Sequence, residues 1–462
     1  MSPQNQTTMQ QYVPTELGSK PVGRLLWQYS LPAIIAMVAS SIYNIVDSIF
    51  VGQGLGDEAI SGMAVASPFM NLSAAFGAMV GVGASTVISV RLGQRKYEEA
   101  QHILGNTISL NILLGILFTL ACWPFLDDIL RLFGASDVTL PYAREYMRVI
   151  LLGNMVTHLY FGSNAILRSA GHPRTAMGCT FLAIIVNCIL DPLFIFVFRW
   201  GIEGVAWATI IAQTIAFCWQ LRLFSRPTEL LHLRRGIYRL KSSIVRQCLA
   251  IGLSPFLMNS CACLVVLICN NRLLQYGGDM AIGAYGIVNR VVFLFVTVVM
   301  GMVQGMQPII GYNWGARQND RVFRVLRYGI SVATCITLIA MLIGEFAPEP
   351  AIRVFGAGSE LTGKAVRAFH FVVAAFPLVG AQMVIGNFFQ SIGHAGKSIF
   401  LSVTRQMLFL IPLLALLPQW WGLDGVWLAM PLSDTISFFT ATGMLLYMIR
   451  RIRRHETHRP VE

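Results

Sequence analysis

Asn187 and Asp191 stand four residues apart inside a long apolar run, residues 177–198. That spacing puts an amide and a carboxylate on one face of a helix. A carboxylate in hydrocarbon costs ~2.5–3.5 kcal/mol on insertion scales, so by default it faces a polar cavity and has a function. Two uses are open to such a pair. It can handle a proton or cation, or it can bond a neighbouring helix and set its packing.

The elements that must position this pair follow from composition. The chain has 462 residues, 55% hydrophobic and 12% charged, where soluble domains carry about 25% charged residues. Twelve apolar segments are long enough to cross a bilayer, which takes ~20 residues. They are 25–51, 59–90, 103–125, 146–167, 177–198, 204–224, 244–273, 281–310, 328–343, 368–389, 399–417 and 425–449. The net charge of +12 would suggest nucleic acid for a soluble protein. Here most of the 34 basic residues fall in alternate loops, among them Arg91, Arg95, Lys96, Arg168, Arg174, the 222–246 stretch, Arg317 to Arg327, and Arg450 to Arg459. The other loops carry acids such as Asp57, Glu58, Asp127, Asp128, Asp279 and Asp424. The positive-inside rule then places both termini in the cytoplasm, which requires an even number of spans. The polar first twenty residues contain no apolar core of a signal peptide. The nine cysteines lack a C-x-x-C pair and read as small buried hydrophobes.

The second half repeats the first. Gly56-Asp57-x-Ala59-Ile60 recurs as Gly278-Asp279-x-Ala281-Ile282, and Gly93-x-Arg95 as Gly315-x-Arg317. Phe133-Gly134-Ala135 recurs as Phe355-Gly356-Ala357, and Ser169-x-Gly171-His172 as Ser391-x-Gly393-His394, all at an offset of 222. Trp200-Gly201-x-x-Gly204-Val205 returns as Trp421-Gly422-x-x-Gly425-Val426 at 221. Five matches in order at one offset indicate internal duplication. With six spans per copy, both copies enter the membrane from the same side. The expected fold is therefore an all-α membrane protein of twelve transmembrane helices. These form two six-helix lobes related by a pseudo-two-fold axis along the membrane normal. The divisions are a cytoplasmic tail (1–24), an N-lobe (25–224), a basic cytoplasmic linker (225–243), a C-lobe (244–449) and a basic cytoplasmic tail (450–462). Apolar residues recur in the linker at roughly helical spacing, which predicts an amphipathic helix on the anionic leaflet.

Several stretches carry a family resemblance. They are Ile42-Tyr43-Asn44-Ile-Val-Asp47 through Val51-Gly52, Ser169-Ala-Gly171-His-Pro173, Asn187-x-x-x-Asp191-Pro192-Leu193-Phe194, and Gln307-Pro308-Ile-Ile-Gly311-Tyr-Asn313-x-Gly315-Ala316. Over essentially the whole length the chain resembles the multidrug and toxic compound extrusion (MATE) family, in its subgroup of small bacterial and archaeal exporters. The resemblance implies two helical bundles forming a V, and cation-coupled export of amphiphilic, often cationic compounds from a prokaryotic plasma membrane. It implies a cation or proton site at Asp47, Asn187, Asp191 and Thr209, with Na⁺ or H⁺ as coupling ion and no cofactor. It also implies that segment 1 bends at Pro32 when the acid titrates; a static proline kink is the plainer alternative.

Depth agrees with that assignment. At 1.5 Å per residue, Asp47, Asp191 and Thr209 fall within roughly one helical turn of each other, in the outer half of the bilayer. Two carboxylates in one dry pocket cannot both stay ionised without a cation between them. The second lobe has no acid opposite Asp191. Its polar residues at equal depth are Arg290 and Asp434, which predicts an ion pair. His370 and Arg405 are set aside as ordinary buried polar residues. The expected partners are amphiphilic small molecules and membrane lipids, with no nucleic acid, and the expected state is a monomer. No G-x-x-x-x-G-K-[ST] sequence is present, so energy must come from an ion gradient. Two other readings are weaker. A lipid-linked precursor flippase would have more cationic residues in the cleft, and an intramembrane enzyme would need a nucleophile–base set or metal ligands.

Overall fold

The computed structural model describes residues 16–353 and 359–457. Residues 1–15 of the tail, Phe355-Gly356-Ala357 of the repeat, and Arg459 lie outside the described residues. The spans are α1 (Val22–Leu55), α2 (Asp57–Gly93), α3 (Tyr97–Leu132), α4 (Leu140–Leu152 and Asn154–Ser169), α5 (Pro173–Val197) and α6 (Gly201–Phe224). The second set is α7 (Ser242–Gly278), α8 (Met280–Gly315), α9 (Asn319–Phe346), α10 (Ser359–Val373 and Phe376–Ser391), α11 (395–421) and α12 (423–457).

Nine helices among the described residues pass as spans by length and hydropathy, and a bent pair makes a tenth. One of the nine, Ala395–Arg454, breaks at Gly422 (φ 54°, ψ −130°) and so counts twice. The twelfth is α4, whose first half carries Arg144, Glu145 and Arg148 and is amphipathic rather than apolar. The same feature explains why the apolar signal begins late in both α4 and α10. These helices start at Leu140 and Ser359, not near 146 and 368. Each is broken midway, at Gly153 and at Ala374–Ala375, and Ala375 is the repeat counterpart of Gly153. The bend in α10 is 48°.

Backbone conformation repeats as the sequence does. Positive φ occurs at Gly56 (86°) and Gly278 (67°), at Gly171 (97°) and Gly393 (78°), and at Arg95 and Arg317 (both 60°). Arg95 and Arg317 occupy a conformation that usually takes glycine or asparagine after a helix end. In each case the next residue's N–H reaches back five residues, Lys96 to Arg91 at 2.9 Å and Gln318 to Asn313 at 2.9 Å. The duplicated turn is thus a duplicated helix cap.

Glycines mark where the lobes meet. A Cβ on Gly93 of α2 would stand 2.0 Å from the Tyr312 carbonyl oxygen of α8, and one on Gly315 would stand 2.1 Å from that of Val90. These are the same contact seen from both copies, because Gly93/Gly315 and Val90/Tyr312 are counterparts. Gly83 seats against Cys248 of α7, and its counterpart Gly305 against Ser30 of α1. Small residues let membrane helices approach closely enough for dispersion contact along the backbone. Polar groups lock the same end. Gln307 Nε2 donates to Thr86 Oγ1 at 2.6 Å, and Ser30 Oγ to the Met302 carbonyl at 3.1 Å. Below them a short helix, Glu16–Ser19, buries Leu17 completely. Asn313 Nδ2 and Arg321 both donate to the Leu17 carbonyl, at 2.9 and 3.1 Å. Among the described residues, interlobe hydrogen bonds reach no further along α1 than Met37.

The linker is not an amphipathic helix. Residues 225–241 run as irregular chain over the N-lobe. Asn106 of α3 explains the difference. Its Nδ2 donates to the carbonyls of Ile237 and Arg239, both at 3.1 Å, and its Oδ1 accepts from Lys241 N–H at 2.7 Å. Leu231 and Ile237 are buried against the bundle, whereas Tyr238 and Leu240 are exposed, so only part of the linker's apolar surface faces the protein. Gly236, at φ 91°, interrupts any helical run.

Candidate cation-coupling site

Helix α5 is α-helical to Pro192 and continues as a π-turn, Leu193–Val197. Pro192 cannot donate a backbone hydrogen bond, and the chain beyond it widens: Phe198 N–H reaches the Leu193 carbonyl, five residues back, at 3.0 Å. π-turns of this kind are rare and gather at functional sites. The turn begins two residues beyond Asp191, on the helix that carries Asn187.

The four residues implied by the resemblance come together. Asp191 is fully buried, Asn187 is 3% exposed and Asp47 is 8% exposed. The carboxyls of Asp47 and Asp191 lie within hydrogen-bond reach of each other. The Asn187 amide, oriented by its neighbours, ties three helices together. Its nitrogen donates to the Asp191 carboxylate and sits 2.9 Å from the Tyr43 hydroxyl, while its oxygen accepts from Thr209 Oγ1 at 3.1 Å. Sequence reasoning misses Tyr43 as a member of the site. A signal for it exists, since it stands four residues before Asp47 on the same face of α1.

Every donor atom in this cluster is a hard oxygen or the bridging amide, and Asp47 Oδ1 is buried without a hydrogen-bond donor. A proton shared between the two carboxyls, or a hard monovalent cation, satisfies such an atom. Among the described residues no three His, Cys, Asp or Glu side chains cluster as a metal-ligand set.

The cluster forms one end of a cavity of about 420 Å³ between α1, α2, α4, α5 and α6. Pro32, Asp47, Asn187 and Thr209 are in its wall, with Met37, Met70 and Met177, and Gln304 of α8 is the contribution of the other lobe. Pro32 lies inside a continuous α1, flanked by the residues that α8 grips: Gly301 seats on Ala33 and Ile34, and Gly305 on Ser30.

The expected Arg290–Asp434 pair does not form. Asp434 accepts from Arg405 Nε at 2.9 Å, and Arg290 is exposed. Equal depth along two helices does not give azimuth. Arg405 and Asp434 lie on sequential antiparallel helices, and a second π-turn, Thr404–Leu410, holds Arg405. Ser433 Oγ donates to the Arg405 carbonyl at 2.9 Å, so α12 meets both the side chain and the backbone of this residue.

Twelve spans in two duplicated lobes, with a buried acid pair beside a cavity, make a multi-pass membrane protein. A sequence model of the MatE family matches residues 32–193 and 250–416, and the chain belongs to that family. It is similar to the multidrug export protein MepA of Staphylococcus haemolyticus (strain JCSC1435), 27% identical over 92% of this chain and 94% of that one. To MepA of Staphylococcus aureus (strain N315) it is 26% identical over 93% and 94%. The solved structure of the MATE multidrug transporter DinF-BH in complex with a dye superposes with a TM-score of 0.86, at 36% identity over 94% of this chain and 97% of that one. A MATE crystal structure in a bent conformation gives 0.90 at 23% identity over 96% and 99%, a likeness of fold.

Proposed function

We propose that the protein is a cation-coupled antiporter that exports amphiphilic, cationic compounds by alternating access, acting as a monomer in a prokaryotic plasma membrane. The observation that carries this reading is the contact between Asp47 and Asp191 at the edge of the N-lobe cavity. Two buried carboxyls this close cannot both be charged, so a bound cation and a cationic substrate compete for the same negative charge. Direct carboxyl–carboxyl contact favours H⁺. Na⁺ is the second reading, because Thr209 and the Asn187 amide add neutral oxygens.

The basic loops, the linker and both described termini fall at the sealed end of the bundle. If that end is cytoplasmic, as the positive-inside rule requires, the conformation is open to the outside. Cation binding from outside would then displace substrate outward. Pro32 is the proposed hinge. It stands within the last turns of α1 that α8 holds, a stretch that ends near Met37, so the part bearing Tyr43 and Asp47 can move while the part below stays docked. The proposed organisation keeps the N-lobe at 25–224, the linker at 225–243 and the C-lobe at 244–449. MepA and DinF-BH, as multidrug proteins, support the substrate class for this chain.

The test is dye efflux from reconstituted vesicles with a pH gradient and a Na⁺ gradient imposed separately. A pH gradient alone is expected to drive efflux. Efflux driven only by Na⁺ would replace the proton with the sodium ion, and efflux driven by neither would overturn the antiporter reading.

A further inference from the structure

The cavity does not end at the acid pair. Along α5 its wall runs from Asn187 through Thr180 to Pro173. Those fifteen residues of helix span about 21 Å. Asp47 lies at one end and Arg168, in the last turn of α4, at the other. They are the two charged side chains, carboxylate or basic, among the lining residues.

Arg168 is held by a neutral group. Its Nη1 donates to Asn164 Oδ1 at 2.5 Å, and the Asn164 amide is anchored in turn by donating to the Ala176 carbonyl at 3.0 Å. Among the described residues no carboxylate lies within ion-pair distance of Arg168. Arg91, Arg131, Arg144 and Arg234 all have acidic partners. A partly buried cation without an anion is costly. The carboxyl end of α4 offsets a part of that cost. A guanidinium has five donors, and Asn164 accepts from one nitrogen. A cavity that took only monocations would be hindered by Arg168.

We propose that Arg168 is the anion-recognising end of a two-ended chamber, so that its ligands include zwitterionic amphiphiles whose cationic centre lies toward Asp47 and whose carboxylate lies toward Arg168. This inference rests on the export reading and names a substrate class for the same cavity. The guanidinium fork suits a carboxylate through two parallel hydrogen bonds, and Asn164 is its positioning residue.

The experiment uses the purified full-length protein and a matched pair of rhodamine dyes at neutral pH. One is the zwitterionic free acid and the other its methyl ester, a cation of nearly the same shape. Wild type is expected to bind both. Arg168→Gln is expected to weaken the free acid at least about tenfold while changing the ester less than about threefold. Arg168→Lys is expected to recover part of the loss, since it keeps the charge but not the fork. If Arg168→Gln does not fold, the free-acid to ester ratio of Arg168→Lys carries the test and should fall below that of wild type. Equal weakening of both dyes, or an unchanged ratio, overturns the inference and leaves the export reading standing. Failure of wild type to bind either dye overturns the export reading and this inference with it.

Discussion

Ser89 and Gly311 pack against each other across the lobe interface: a Cβ on Gly311 would stand 2.8 Å from Ser89 Cβ. The two positions are counterparts in the repeat, 222 residues apart. A residue can touch its own counterpart only where the symmetry axis passes, so this contact locates the pseudo-two-fold axis between α2 and α8. The contacts of Gly93 with Tyr312 and of Gly315 with Val90 flank it as an isologous pair.

The interface therefore predicts which glycines are irreplaceable. Gly315→Ala and Gly93→Ala each place a methyl about 2 Å from a backbone carbonyl oxygen of the other lobe. Neither helix can yield locally, so each substitution should cost on the order of 1–3 kcal/mol. Gly286→Ala and Gly443→Ala, which meet nothing within 4 Å, serve as controls. Thermal unfolding in detergent measures the difference, and equal midpoints for the two sets would contradict the close-contact argument.

Asn187 is the bridge of the acid site, and its removal should be felt beyond one bond. Asn187→Leu keeps the approximate volume but removes the amide that bonds Asp191, Tyr43 and Thr209 together. Unsatisfied buried groups cost ~1–3 kcal/mol each. The expected outcome is strongly reduced gradient-driven efflux with lowered thermal stability. Tyr43→Phe, which removes one hydroxyl, should produce a smaller loss in both assays.

The C-lobe ion pair gives a prediction about partners. Asp434→Asn removes the charge opposite Arg405, whose side chain is 30% exposed and so partly screened by solvent. The loss should be on the order of 1–3 kcal/mol, below the 3–5 kcal/mol typical of breaking a fully buried pair. Arg405→Leu/Asp434→Leu should recover much of it, and Arg290→Gln should be near neutral. A double-mutant cycle on unfolding midpoints checks this; coupling of Asp434 to Arg290 rather than Arg405 would contradict the geometry.

These residues separate what a sequence can reveal from what it cannot. The duplication was legible because turns need particular residues: Gly56, Gly171 and Gly201 each have a counterpart with positive φ. The acid site was legible because a carboxylate in an apolar run is costly enough to stand out. Rotation about a helix axis was not legible. It decides that Asp434 meets Arg405 and not Arg290, and a π-turn at Thr404–Leu410 shifts that rotation without a proline or glycine within the turn to announce it. The linker failed for a different reason. Its apolar spacing is real, but Asn106 holds the backbone out of a helix and the N-lobe buries Leu231 and Ile237.

In the proposed antiport cycle the Asp47–Asp191 pair carries the coupling cation. The direct measurement compares wild type with Asp191→Asn in proteoliposomes, following efflux under a pH gradient and substrate exchange without one. Asp191→Asn cannot cycle the charge, so gradient-driven efflux should fall at least about tenfold, a change of about 1.4 kcal/mol, while exchange persists in a folded protein. Gradient-driven efflux at the wild-type rate in Asp191→Asn would contradict the account and leave Asp191 a packing residue.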